Sequence, residues 1–145
     1  VKDDCMVISV DLDNLKLVND NFGHNEGDNA ILTMANALKS AADENDICAR
    51  FGGDEYVVFG KGKGEYEMKA YIDKVNEYLS EYNLTSEKPY NVHGSFGGCI
   101  VPKGSKLHID YYINKADSKM YVEKESHKRT RMLHDYSKDK PQTDE

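Results

Sequence analysis

Hydrophobic and polar positions along this chain follow two periods, and they divide it into short strands and longer helices. The run "CMVISVDLD" is dense in Val, Ile and Met and predicts a buried strand ending at Asp11. The polar stretch "NLKLVNDNFGHNEGD" leaves room for one or two helical turns. From about Asn25 to Ala42, Ile31, Met34, Ala35 and Leu38 recur at helical spacing, with Asn25 as N-cap and Asp28 in the first turn. "DICARF" (46–51) and "EYVVFG" (55–60) read as two strands of a hairpin around a Gly-Gly turn. "KGKGE" is a surface loop. The next helix, Glu65 to about Tyr82, carries the stripe Met68, Ile72, Val75, Leu79, Tyr82. "NVHGSFGGCIV" predicts another strand, whose glycines imply a bulge or a close backbone approach. A last helix runs from Asp110 to about Lys128, with Tyr112, Ala116 and Met120 on one face and Ile109 and Ile113 beside it. The order β-α-α-β-β-α-β-α predicts an α+β fold, an α/β sandwich. Its core is a βαββαβ sheet containing antiparallel pairs, with an extra helix and the helices on one face.

At 145 residues the chain fits one domain, expected over residues 1–130 with a polar, flexible tail over 131–145. A chain of this size buries roughly 68–70% of its unfolded surface, so it needs no disulfide or metal staple. No apolar run approaches the ~20 residues of a membrane span, and no signal-peptide pattern opens the chain. It begins at Val1 rather than Met and enters a strand at once, which reads as a fragment of a longer protein. Cys5, Cys48 and Cys99 are widely spaced and odd in number. That suggests reduced thiols in the cytoplasm, with Cys48 and Cys99 buried as small apolar residues. The five histidines show no metal-ligand spacing. A net charge of −7 without a basic patch argues against a nucleic-acid backbone as partner. A small phosphorylated ligand fits if divalent cations or local amides hold its phosphates.

The chemistry gathers at carboxylates. Asp11 closes the first strand, and Asp54 and Glu55 sit at the hairpin tip. In a βαββαβ sheet the first strand lies beside a hairpin strand, so its C-terminal end approaches the turn. Carboxylates brought together there repel and raise each other's pKa, and a divalent cation relieves the repulsion. Mg²⁺ favours one or two carboxylates plus phosphate oxygens. Two such ions roughly 3.5–4 Å apart suit in-line phosphoryl transfer. Gly52 and Gly53 would let a nucleotide approach the backbone. The amides near Asn14 and Leu15, where strand turns into helix, can cradle phosphates beside Lys16. Asn19, His24 and Asp28 can read a base edge, and an amide paired with a carboxylate suits guanine better than adenine. Blander roles stand beside these: Asp11 and Asp13 as helix caps, His24 as a loop brace, Asp28 as a first-turn carboxylate, Lys124 and Lys128 as a solvated helix face.

"VDLDNLKLVNDNFGHNEGDNAI" followed by "ARFGGDEYVVF" resembles the GGDEF family of diguanylate cyclases. The family pattern is D-x-D-x-x-K-x-x-N-D-x-x-G-H-x-x-G-D, then R-[FY]-G-G-[DE]-E-[FY], and this sequence matches it position by position. Weaker agreement continues through "SFGG" and "ADSKMYVEK". The resemblance implies a palm-like nucleotidyl cyclase fold. It implies a homodimer in which two GTP molecules condense into cyclic di-GMP with release of two pyrophosphates, using two Mg²⁺ (or Mn²⁺) per active site. By motif position, Asp11, the Leu12 carbonyl, Asp54 and Glu55 would hold metal. Asp54 would accept the 3′-hydroxyl proton with Glu55 as helper, and Lys16 would steady charge on the phosphate. Asn19 and Asp28 would read guanine near His24, and Lys124 would hold terminal phosphates. The usual helix-ending pattern K-x-x-G-R-N reads "KESHKR" here, with His127 for Gly and Lys128 for Arg, which weakens the phosphate grip at Lys128. The R-x-x-D product-inhibition motif is replaced by "DEND" (43–46), so inhibition through it is not expected. The family's opening helix does not precede Val1. An N-terminal sensor domain and a cytoplasmic setting, including that of an output domain on a membrane-anchored parent, are what the resemblance implies. The competing reading is a silent module that binds GTP or a protein partner.

Overall fold

A computed structural model of the protein describes residues 3–131. Eight elements follow in order: β1 (Cys5–Leu12), α1 (Leu15–Phe22), α2 (His24–Ala41), β2 (Asp46–Arg50), β3 (Glu55–Lys61), α3 (Glu65–Thr85), β4 (Gly94–Val101) and α4 (Ile109–Arg131). The four strands form one sheet in the order β2-β3-β1-β4, and each neighbouring pair is antiparallel. The tail expected to be flexible lies, beyond Arg131, outside the described residues. Among the described residues no helix is long and apolar enough to cross a membrane.

Helices cover both faces of the sheet, not one. Met6, Ile8, Val10 and Leu12 of β1 pack with Met34 and Leu38 of α2 and with Val75 and Leu79 of α3. On the reverse face Val7, Val57, Cys99 and Val101 pack under Tyr112 and Ala116 of α4. The reason is written in β1: its unbroken apolar run buries both sides of the strand, which requires a layer on each. At Gly97 β4 and α4 approach closely, because a Cβ there would strike the backbone of Ala116 and Met120. The glycines of this strand therefore mark close approach, the second of the two sequence expectations.

Two local expectations change. Gly23, at φ 96°, ends α1 and opens α2, so Asn25 is not the N-cap. The left-handed backbone of Gly23 lets two helices abut without a loop. As a result α1 completes eight residues, and Glu26 rather than Asp28 occupies the first turn of α2. Cys48 is exposed, because β2 is an edge strand; Cys99 is buried as expected, and none of the three cysteines forms a disulfide.

Candidate active site

The antiparallel register sets Asp11 opposite Glu55 on β3 and opposite Ser95 on β4. One residue further on, the Leu12 amide donates to the Asp54 carbonyl at 2.8 Å, which ties the end of β1 to the hairpin turn. Asp54 is thereby held at the end of β1 near Asp11, where its charge raises the Asp11 carboxyl. Burial pushes the Asp11 carboxyl up to about 6; the Lys124 ammonium pulls it down and Asp54 pushes it up again. Glu55 is raised as well, first by burial and then by Asp117 of α4, whose carboxylate also accepts from Ser9 at 2.9 Å. Asp11 Oδ1 is the single buried side-chain polar atom without a hydrogen-bond partner among the described residues.

That orphaned oxygen, in a cluster with the Asp54 carboxylate nearby, is the right chemistry for a divalent cation. Among the described residues no three His, Cys, Asp or Glu side chains form a metal-holding group of their own. Two carboxylates and a carbonyl are nevertheless a sufficient protein share for Mg²⁺, which takes its other ligands from phosphates and water.

Helix α4 closes this end of the sheet. Lys124 Nζ lies 2.9 Å from Asp11 Oδ2, 2.9 Å from the Leu12 carbonyl and 3.7 Å from Asp13 Oδ1. Asp13 accepts from the Ser95 hydroxyl at 2.6 Å and is 2.9 Å from His127 Nδ1, which also lies 2.9 Å from Ser95 Oγ. Glu123 accepts the Phe96 amide at 2.7 Å. Lys128 points elsewhere and pairs with Glu125 at 3.6 Å, with its side chain 63% exposed.

The residues expected to hold phosphate and base follow in α1, α2 and the hairpin turn. Asn14 adopts the left-handed conformation (φ 62°) as N-cap of α1, so the helix starts at Leu15 immediately after the acidic turn. Neither Asp11 nor Asp13 caps that helix. Lys16 is exposed and paired with Asp20 at 2.8 Å, so it is not brought into the carboxylate cluster. The Asn19 side chain lies directly over Gly27, where a Cβ would collide with it. His24 is exposed at the start of α2. Asp28 lines a cleft of ≈ 600 Å³ between α2 and β2, with Ile31, Leu32, Arg50 and Tyr56 among its walls. Gly52 and Gly53 face open space. Arg50 holds their turn by donating to the Gly52 and Gly53 carbonyls, at 2.9 Å each.

Sequence reasoning gave Asp13 only a helix-capping role and assigned none to Ser95, Arg50 or Asp117. Arg50 and Asp117 stood inside the quoted motifs "ARFGGDE" and "ADSKMY". Ser95 stood inside the quoted "SFGG". At positions 43–46, Asp43 and Asp46 both pair with Lys63 at 2.9 Å.

Residues 1–130 match the family described as diguanylate cyclase, GGDEF domain. Among curated proteins the chain is similar to the diguanylate cyclase DgcP of Escherichia coli K12, with 29% identity over 126 residues, covering 86% of this chain and 37% of DgcP. It is similar to YtrP of Bacillus subtilis 168, with 31% identity over 134 residues, covering 88% of this chain and 21% of YtrP. The chain thus spans well under half the length of these relatives. Its fold is that of the active GGEEF domain of a diguanylate cyclase from Vibrio cholerae, with a TM-score of 0.76 and 22% identity over 86% of this chain and 78% of that one. SiaD of Pseudomonas aeruginosa, solved with its activator SiaC, aligns with a TM-score of 0.75 and 24% identity over 85% of this chain and 47% of that chain. The palm-like α+β architecture and the motif positions agree, and the chain belongs to the diguanylate cyclase GGDEF-domain family.

Proposed function

We propose that this domain is a diguanylate cyclase, condensing two GTP molecules into cyclic di-GMP with release of two pyrophosphates across a homodimer. The observation that carries the reading is the meeting of Asp11 and Asp54 at the hairpin turn, with Asp11 Oδ1 buried and unpartnered. Asp11, Asp54, Glu55 and the Leu12 carbonyl would hold two Mg²⁺ or Mn²⁺ ions. When bound, the ions supply Lewis-acid stabilisation of the charge that develops on the α-phosphate and the leaving pyrophosphate. Asp54 takes the proton from the attacking 3′-hydroxyl, with Glu55 beside it. The amides of Asn14 and Leu15 at the start of α1 receive phosphate oxygens. Lys16 releases Asp20 to steady the transferring phosphate, as an exposed i,i+4 pair of small worth permits. Lys124 approaches the terminal phosphates from α4, and Lys128 would join it on releasing Glu125. Asn19 and Asp28, with His24 near the mouth, read guanine, whose N–H donors suit the Asp28 carboxylate. Gly52 and Gly53 leave the floor open for the nucleotide. In the whole protein an N-terminal sensor domain governs the pairing of two such domains.

Incubating the full-length protein with GTP and Mg²⁺ or Mn²⁺, and resolving the products by chromatography, tests this. Cyclic di-GMP and pyrophosphate in a 1:2 ratio are expected, with ATP a poor competitor. GTP binding without any cyclic dinucleotide, even at high enzyme concentration, would mean a silent sensor module.

A further inference from the structure

Lys124 is engaged twice over. Its ammonium touches Asp11 Oδ2 and the Leu12 carbonyl at 2.9 Å each, and its side chain is only 17% exposed. The Asp11 carboxylate and the Leu12 carbonyl are the groups assigned above to a divalent ion, and the ammonium already occupies one oxygen of each. We propose that Lys124 is the built-in stand-in for the divalent cation: its ammonium joins Asp11 to Leu12 in the nucleotide-free protein, and metal takes those oxygens only by displacing it. The inference rests on reading Asp11 and Leu12 as cation ligands.

The surrounding contacts make the exchange feasible without moving the helix. Asp13 keeps its bonds to Ser95 and His127 when Lys124 leaves. Glu123 still holds the Phe96 amide, and Asp117 still holds Ser9, so α4 remains fixed on the sheet. Lysine suits the role, being a point charge on a flexible four-carbon stem rather than a rigid fork. It is also an incomplete substitute. It satisfies Oδ2 of Asp11 and leaves Oδ1 unpartnered, an oxygen that a divalent ion would also engage. Because the competent state is only the Lys124-out fraction, the apparent metal affinity of the free protein is lowered by that fraction. The displaced ammonium then becomes available to phosphate oxygens, so metal entry and phosphate capture are coupled through one side chain.

The test is Mn²⁺ binding to the nucleotide-free full-length protein, followed by electron paramagnetic resonance. Lys124→Met removes the rival and is expected to tighten Mn²⁺ binding about tenfold or more, the scale of one charge-assisted contact. Lys119→Met removes an equal charge from the same helix, where the ammonium bonds the Gly98 carbonyl. It is expected to change little, and the difference between the two variants should persist at high salt, which screens distant charges only. Lys124→Gln serves if the Met variant loses its thermal transition. Mn²⁺ binding by the Lys124 variants no tighter than by Lys119→Met overturns the proposal. Asp11→Asn separates the two readings. If it abolishes binding while Lys124 variants behave as wild type, only the stand-in role fails. If it binds as well as wild type, the metal site itself is wrong and the proposal falls with it.

Discussion

Two polar clusters in this molecule are finished in opposite ways. Around Tyr90 the hydrogen bonds close on themselves. Its hydroxyl donates to Glu26 at 2.8 Å and accepts from Asn29 at 2.8 Å; Asn29 also donates to Tyr82 at 2.9 Å, and Lys88 pairs with Glu26 at 3.1 Å. At the end of β1, Asp11 and Asp54 face each other and a buried oxygen has no partner. A polar cluster that only holds structure completes its bonds internally. One left open and under charge repulsion is reserved for something that arrives from outside. The titrations carry the same contrast: the Tyr90 hydroxyl and then Lys88 hold Glu26 below the usual range, whereas burial pushes Asp11 up to about 6.

The hardest test of that contrast is Asp54→Asn. Cyclic dinucleotide formation is expected to fall at least roughly 100-fold, as for loss of a metal-site group. In metal-free buffer the thermal midpoint should rise, because a charge facing Asp11 has gone. Chromatographic assay and calorimetry read the two effects. Unchanged turnover would remove Asp54 from the chemistry, and a lower midpoint would mean the cluster is structural. At the closed cluster the expected signs reverse. Tyr90→Phe leaves Glu26 and Asn29 short of a partner and should cost about 1–3 kcal/mol in urea unfolding. The turnover of the folded fraction should stay near wild type. A smaller effect is expected at Gly27, between Glu26 of the closed cluster and Asp28 of the cleft. Gly27→Ala forces the Asn19 side chain aside. KM for GTP should rise about fivefold, the worth of one hydrogen bond, with kcat less affected. An unchanged KM would take Asn19 out of base reading.

How much of this was legible in the sequence depends on the distance over which each feature is decided. The strand β1, the Gly-Gly turn and the register that sets Asp11 beside Asp54 follow from local period and a topology with few alternatives. The helix stripes place α3 and α4 for the same reason. The contacts of β4 and α4 with the end of β1 and the turn after it were not legible. Ser95, Lys124 and His127 reach Asp13 or Leu12 from 82, 112 and 114 positions away. Their meeting depends on how α4 is seated, which the contact at Gly97 fixes and no local pattern announces. The junction at Gly23 was missed because Asn25 offered a good cap and a glycine's φ carries no sequence signal. The exposure of Cys48 was missed because edge position belongs to the sheet, not to the strand.

The smallest effect, and the one that separates the clusters by sign, is the pH dependence of stability without metal. Asp11 has an ordinary value of 3.8 and a folded value of about 6. Below the ordinary value both folded and unfolded states hold the proton, so folding bears no penalty. As pH rises to about 6 the unfolded chain has released its proton while the folded chain still resists, and stability declines until the folded carboxyl is ionised too. Glu26 runs the other way. Its folded value is lowered, so its contribution is present above the usual carboxylate range and is lost only as pH falls through that lowered value. Unfolding free energies in chelator-treated buffer should therefore show a decline in wild type between about pH 4 and pH 6. Asp11→Asn should lessen that decline, leaving the part owed to Glu55, and gain most over wild type at neutral pH. Glu26→Gln should run parallel to wild type above the usual carboxylate range and converge with it only in acid. Equal slopes for Asp11→Asn and wild type across that window would show that the Asp11 carboxyl is not under strain, and the open cluster would then have no claim to differ from the closed one.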